Sequence, residues 1–189
     1  MPIKPFLLAL LFTSSINLFA QSKIDTAAIK AQLATILVRD QKTRTSGDSV
    51  QFAHFIDSTN LVQVEALISQ YGWLGKSTIG AKANATIFLV IQHAELPTQE
   101  KYLPMLIQSV MDSQSRPCDL ALLQDRVLMR QGKKQLYGSQ VVYNKRGGEE
   151  FWQIEDEANV NTRREKMGLL PIEEYAKIFG IDYKLPERK

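Results

Sequence analysis

The chain has 189 residues, with 23 basic and 20 acidic side chains, a formal net charge of +3 and a single cysteine. That length suits one domain with a full hydrophobic core, and the near balance of charge, with no dense Lys/Arg stripe, argues against nucleic-acid binding. Cys118 alone excludes an intrachain disulfide, and two histidines with no CxxC or HxxxH spacing argue against a structural zinc site.

Residues 1–20 read as a secretory signal peptide: Met1-Pro2-Ile3-Lys4 is a short basic start, Phe6 to Phe12 an apolar run, and Ser14, Ser15, Asn17 and Ala20 lead into a polar stretch. Such a run is too short and wrongly flanked to span a bilayer. The pattern predicts cleavage after Ala20, a secreted or periplasmic product with no membrane anchorage, and loss of Lys4, which takes the charge from +3 to +2. Residues 24–182 then read as a single globular domain of the α+β class, mainly α-helical, with six to seven helices and one C-terminal β-hairpin.

The first predicted helix covers residues 24–45, where Ile29, Leu33, Ile36, Leu37 and Asp40 recur at three- and four-residue steps. Asp40 therefore lies where the apolar stripe ends, and Arg44, one turn on, is its expected partner. Residues 48–57, with His54, show no clean period and are expected to form a loop or a short turn of helix. A second helix is expected from Asp57 or Ser58, either of which can cap it, to Tyr71, with Gly72 as its stop.

Gly75-Lys76-Ser77-Thr78 has the ending of a phosphate-binding loop. That loop requires G-x-x-x-x-G-K-[ST] after a buried strand, so that successive N–H groups curl around phosphate oxygens. The first glycine's position holds Gln70, and the preceding segment reads as a helix. Ser77 or Thr78 is expected instead to cap a helix over about residues 80–93. This segment is apolar on nearly every side from Ala85 to Ile91, which predicts a central, buried element. Its β-branched residues would also suit a buried strand, and alanines at 81, 83 and 85 favour the helix. Gln92 and His93 emerge at its C-terminal end. Trp73 is expected to cover the core, with the wall of a ligand cleft as the competing role.

A further amphipathic helix is predicted over residues 98–113, with Pro104 marking a kink or a late start. Another begins at Pro117, carries Leu120, Leu123 and Val127 inward, and ends at Gly132; Asp125 and Arg126 flank that stripe. From Gln135 to Tyr143 the period becomes two, and Asn144 to Gly148 is a turn cluster leading into Phe151, Trp152 and Ile154, which predicts a hairpin. On such a strand Tyr137 and Gln140 face opposite sides unless Gly138 is a bulge, in which case the hairpin lines a pocket. Helices return over residues 157–167, capped by Asp156, and 171–179, started by Pro171.

The ordered series Asp40-Gln41, Gly72-Trp73, Gln92-His93-Ala94, Asp125-Arg126, Gln135, Tyr137-Gly138-Ser139-Gln140, Arg163-Arg164 and Gly168-Leu169 resembles an uncharacterised bacterial family defined as a domain of unknown function. The resemblance spans about residues 25–180. Ser139 stands where the family pattern has threonine, which keeps the hydroxyl, and Leu74 where it has proline. What the resemblance implies is a fold and a set of positions, with no reaction attached.

Those positions are hydrogen-bonding groups at the ends of apolar elements, and each one left buried and unpaired costs roughly 1–3 kcal/mol. They are expected to satisfy one another or a ligand. In the functional reading His93 is a general acid or base oriented by Asp40 or by Asp125, while Arg126, Arg163 or Arg164 binds an anionic or carbonyl oxygen and Gln41, Gln92, Gln135, Tyr137 and Gln140 complete the polar lining. In the structural reading Asp125 and an arginine form a buried pair that fixes helix register, and His93 satisfies a neighbouring carbonyl. Ser77 and Ser139 lack a GxSxG elbow, and Cys118 lacks a readable histidine partner. The sequence thus points to a polar or anionic small ligand, or a protein partner, with a hydrolase or lyase as the alternative; no cofactor and no metal is implied.

Overall fold

A computed structural model describes residues 24–186 apart from Ser46, Asp48 and Arg146; the expected signal peptide lies outside the described residues. The helices are α1 (Thr26–Thr45), α2 (Val50–Tyr71), α3 (Lys76–Ile79), α4 (Ala81–His93), α5 (Leu96–Met111) and α6 (Pro117–Arg130), then β1 (Val141–Tyr143), β2 (Glu149–Phe151), α7 (Val160–Lys166) and α8 (Ile172–Lys177). The protein is mainly α-helical with one antiparallel two-stranded hairpin. Among the described residues no helix is long and apolar enough to cross a membrane.

The apolar segment from Ala85 to Ile91 is a helix, not a strand, and it is central: α4 packs on α1, α2, α3, α5 and α6. Ile87, Phe88, Val90 and Ile91 are buried in a core shared with Leu33 and Ile36 of α1, Val64 and Leu67 of α2, Leu106 of α5 and Leu123 of α6. Burying each such side chain contributes about 1.5–3 kcal/mol. Burial of most of α4 between Ala83 and Ile91 leaves its ends more open: Lys82 is exposed at the start, and Gln92 and His93 are partly exposed at the finish.

Four local expectations change. Residues 50–57 continue α2 backwards, because Ser49 accepts a hydrogen bond from the Phe52 N–H and caps the helix earlier than Asp57 would. Phe52 and Phe55 are exposed there, which is why no amphipathic stripe announced the helix. Neither Ser77 nor Thr78 caps α4; both lie inside the four-residue α3, and Gly80 precedes α4 without a side-chain cap. The N–H groups that a phosphate would claim are taken by Gln114, whose backbone carbonyl accepts from Lys76 N at 2.9 Å and whose Oε1 accepts from Ser77 N and Oγ at 3.2 and 2.5 Å. A Cβ at Gly75 would lie 2.6 Å from that Oε1, so the turn is already filled by protein.

The predicted long strand at 135–143 also shortens. Only Val141–Tyr143 pairs, with Val141 opposite Phe151 and Tyr143 opposite Glu149. Residues 136–140 form an irregular loop against α6 and α7. Gly138 makes the turn possible: its φ is +66°, and a Cβ there would meet Ile172 Cδ1 at 2.5 Å and Ile154 Cδ1 at 3.0 Å. A second, smaller core of Ile154, Val160 and Ile172 lies under this loop. Asp156 does not cap the following helix with its side chain; a 3-10 turn at Glu157–Asn159 intervenes, and the Asp156 carboxylate accepts from Asn159 Nδ2 instead.

Candidate functional site at the end of the central helix

The last turn of α4 meets the last turns of α1. His93 Nδ1 lies 2.8 Å from Asp40 Oδ1, and Asp40 is 1% exposed while the His93 side chain is 18% exposed. Gln41 Nε2 donates to Asp40 Oδ2 at 2.9 Å, and Arg44 stands 3.6 Å from Asp40 Oδ1, as the one-turn spacing predicted. Arg44 makes its closer contact with Asp57 of α2, at 2.5 Å. Three helices are thus joined through one polar chain, and Asp40, not Asp125, is the carboxylate that faces the imidazole.

Burial alone would raise the Asp40 carboxyl, but the hydrogen bond and charge of His93, with Gln41 and Arg44, outweigh it and hold the group below its ordinary value of 3.8. An ionised Asp40 accepts, so Nδ1 donates, and in the neutral imidazole the lone pair is then on Nε2. Nε2 makes no hydrogen bond among the described residues. A carboxyl with a depressed folded-state pKa contributes stability that is complete above the unfolded value and is lost as pH falls through the folded one. The stability gap between wild type and Asp40→Asn, measured by urea unfolding, is therefore expected to hold steady above about pH 5 and to close progressively below 3.8. A gap that does not change down to pH 2 would mean the carboxylate charge is not what stabilises.

Asp40, Asp57 and His93 also bring ligand-type atoms within 4.8 Å of one another. A divalent ion would suit two carboxylates and an imidazole, yet here Arg44 already supplies the positive charge to both carboxylates and Nδ1 is engaged with Asp40. The donor set is satisfied as an ion-pair network, and we do not assign it a metal.

Arg126, on α6, is not satisfied in this way. Its Nε is buried with no hydrogen-bond partner, and no carboxylate pairs with its guanidinium among the described residues. Its pKa is pushed down by burial first, then by the positive charge of Arg130; Tyr175 acts in the opposite sense, and Arg44 adds to the depression. Arg130, one turn further along α6, donates to the carbonyl of Ala94, the residue after His93. Asp40 and Asp57, the acids of the pole, are committed to other partners. Arg44 and Arg130 therefore reach the His93 pole, Arg126 stands one turn before Arg130, and neither Arg126 nor Arg130 has a carboxylate partner among the described residues.

The remaining predicted residues form a separate knot around residues 135–140. Asp125 is fully buried, and its two oxygens accept N–H groups from Leu136 at 2.7 Å, Tyr137 at 3.0 Å and Ser139 at 2.9 Å. Burial pushes this carboxyl up while those three N–H groups pull it down. Arg164, 1% exposed, donates to the carbonyls of Tyr137 and Leu170 at 2.6 Å each, and its guanidinium lies 4.8 Å from the Tyr175 ring centroid. Arg163 donates to Leu136 O at 2.7 Å and to the carbonyls of Glu155 and Asp156. Gln135 Nε2 donates to Gln140 O and Trp152 O, and its Oε1 accepts from Gln140 N. Asp125 and Arg164 do not pair with each other; each grips the backbone of the same loop.

The predicted set is therefore brought together in two places, not one. Asp40, Gln41 and His93 meet at the α4 pole; Asp125, Gln135, Tyr137, Gln140, Arg163 and Arg164 meet at the loop. For Gln92 it is the backbone carbonyl that is engaged, by Gln99 Nε2 at 2.7 Å. Arg126 and Tyr175 lie between the two groups: Tyr175 donates to Ser139 O at 3.1 Å and feels the charges of both Arg164 and Arg126. Trp73 both packs on the core and lines a cavity of about 250 Å³ with Met105, Gln108, Ser109 and Gln114, away from His93. The sequence reading did not place Asp57, Arg130 or Tyr175 in the site. The four-residue step from Arg126 to Arg130 was visible; nothing local marked the other two.

A family model described as "Family of unknown function (DUF6624)" matches residues 16–187. No curated protein and no solved structure matches the chain.

Proposed function

We propose that this chain, which belongs to the family of unknown function DUF6624, binds a small oxyanion at the His93 pole through Arg126, with Arg130 and Arg44 contributing positive potential. The observation that carries this reading is the Arg126 guanidinium: its Nε is buried without an acceptor, and the charges that act on it include two other arginines. An unmet buried donor costs about 1–3 kcal/mol, more when it is charged. Like charges held close in a partly desolvated site add to that cost, and a bound anion offsets both. Its planar fork suits bidentate phosphate or carboxylate. We also propose that the mature chain acts outside the cytoplasm, secreted or periplasmic, a reading that rests on the basic, apolar and small-residue order of residues 1–20.

The test uses Arg126→Gln. Without ligand, the variant is expected to be as stable as wild type or up to about 2 kcal/mol more stable, as when a functional site is relieved of strain. Millimolar inorganic phosphate is expected to raise the melting temperature of wild type and not that of the variant. An arginine that only supports the fold would behave oppositely: its loss would destabilise, and phosphate would shift both proteins alike or neither.

A further inference from the structure

His93 is held as a base would be. One ring nitrogen is fixed by a buried carboxylate that is itself held by Gln41 and Arg44, and the other has no hydrogen-bond partner among the described residues on a ring that reaches solvent. Fixing Nδ1 of the rigid ring also fixes where Nε2 points, and that nitrogen is left free on a side chain that reaches solvent. No Ser, Thr or Cys side chain among the described residues hydrogen-bonds that nitrogen, so the arrangement has an orienting acid and a base but no side-chain nucleophile. Arg126, whose Nε has no acceptor, stands one helical turn before Arg130, and Arg130 donates to the carbonyl of Ala94, the residue after His93.

We propose that the pole of α4 hydrolyses a phosphate ester, with His93 as the general base that activates water and Asp40 as the residue that positions it. This rests on the oxyanion-binding reading above. Nε2 takes a proton from water as the water oxygen forms its bond to phosphorus and the bond from phosphorus to the leaving oxygen breaks. The alkoxide, departing in line on the opposite side of phosphorus, takes its proton from solvent, and the imidazolium releases its proton from Nε2 to solvent, so that phosphate and alcohol leave with the histidine neutral again. Arg126 binds the non-bridging oxygens and offsets the charge spread over them in the transition state. No oxidant, reductant or second substrate is needed.

The test separates the helix tie from the base. In His93→Asn the amide nitrogen stands near the place of Nδ1 and still donates to Asp40, while nothing replaces Nε2; in His93→Gln the amide reaches toward Nε2 and the tie to Asp40 is lost. Turnover of p-nitrophenyl phosphate and bis(p-nitrophenyl) phosphate is measured for wild type and both variants, purified identically, alongside the phosphate-induced rise in melting temperature. The expected result is measurable wild-type turnover that falls by about 10²- to 10⁴-fold in both variants, with the phosphate-induced rise retained in His93→Asn. Asp40→Asn is expected to lower kcat with little change in KM, as loss of orientation does. Equal turnover in wild type and His93→Asn overturns the assignment of the base. Phosphate-induced stabilisation of wild type with no turnover overturns hydrolysis and leaves oxyanion binding standing. Absence of stabilisation by phosphate removes the reading on which both rest.

Discussion

Asp125→Ala is expected to lower the unfolding free energy by about 3–5 kcal/mol, read from urea denaturation, the cost of leaving three N–H groups without their acceptor less what the loop recovers. The carboxylate is the acceptor for three N–H groups, those of Leu136, Tyr137 and Ser139, in a region with no strand partner to replace it. Each N–H group left unmet costs roughly 1–3 kcal/mol, and relaxation of the loop toward water recovers part of the sum. Asp125→Asn is informative beside it. Only one oxygen remains, and the amide nitrogen must turn a donor toward Leu136 and Tyr137 or toward Tyr137 and Ser139, so the loss is expected to be smaller than for alanine but still clear. An Asp125→Ala variant within about 0.5 kcal/mol of wild type, the range of ordinary surface changes, would mean that the loop finds other partners and that the knot is not what holds it.

The second large effect is expected at Gly138. Its φ of +66° disfavours any residue with a Cβ, and the added atom would meet Ile172 Cδ1 at 2.5 Å and Ile154 Cδ1 at 3.0 Å. Both isoleucines belong to the smaller core, and Ile172 is fully buried, so neither methyl has free space to enter. Backbone strain of about 1–3 kcal/mol and overpacking of about 1–3 kcal/mol make Gly138→Ala roughly 2–6 kcal/mol less stable. Ile172→Val removes the nearer methyl. Combined with Gly138→Ala it is expected to be less damaging than the sum of the two single changes, a coupling that a double-mutant cycle measures directly. Simple additivity would place the cost of Gly138→Ala in the backbone alone.

How much of this was legible in the chain depends on whether the deciding contact was local. The inner stripe of α1 ending at Asp40, the all-round apolarity of α4 and the glycine after Tyr71 are written within a few residues of one another, and the elements they predict are present. The pairing of Asp40 with His93 follows from two such stripes ending at the same pole. By contrast, the alternation from Gln135 to Tyr143 looks like a strand because side-chain chemistry alternates there, whereas the N–H groups of its first half are captured by Asp125 on another helix. A period of two says nothing about which acceptor is nearby. The start of α2 was hidden for the opposite reason: Phe52 and Phe55 face outward, so a helix fixed by the Ser49 cap carries no stripe. Asp57 and Tyr175 join the polar region from far along the chain, and only the packing of α2 and the turn of α8 put them there.

The loop at 136–139 is held from two directions, by Asp125 from α6 and by Arg164 and Tyr175 from segments that come later in the chain. During synthesis the ribosome delivers the first set of partners well before the second, so the helical body can form while the Tyr137 and Gly138 carbonyls still lack the guanidinium they receive from Arg164. Closure waits for the final stretch to emerge, and a nascent polypeptide halted short of Arg164 would keep that corner open to solvent and to proteases.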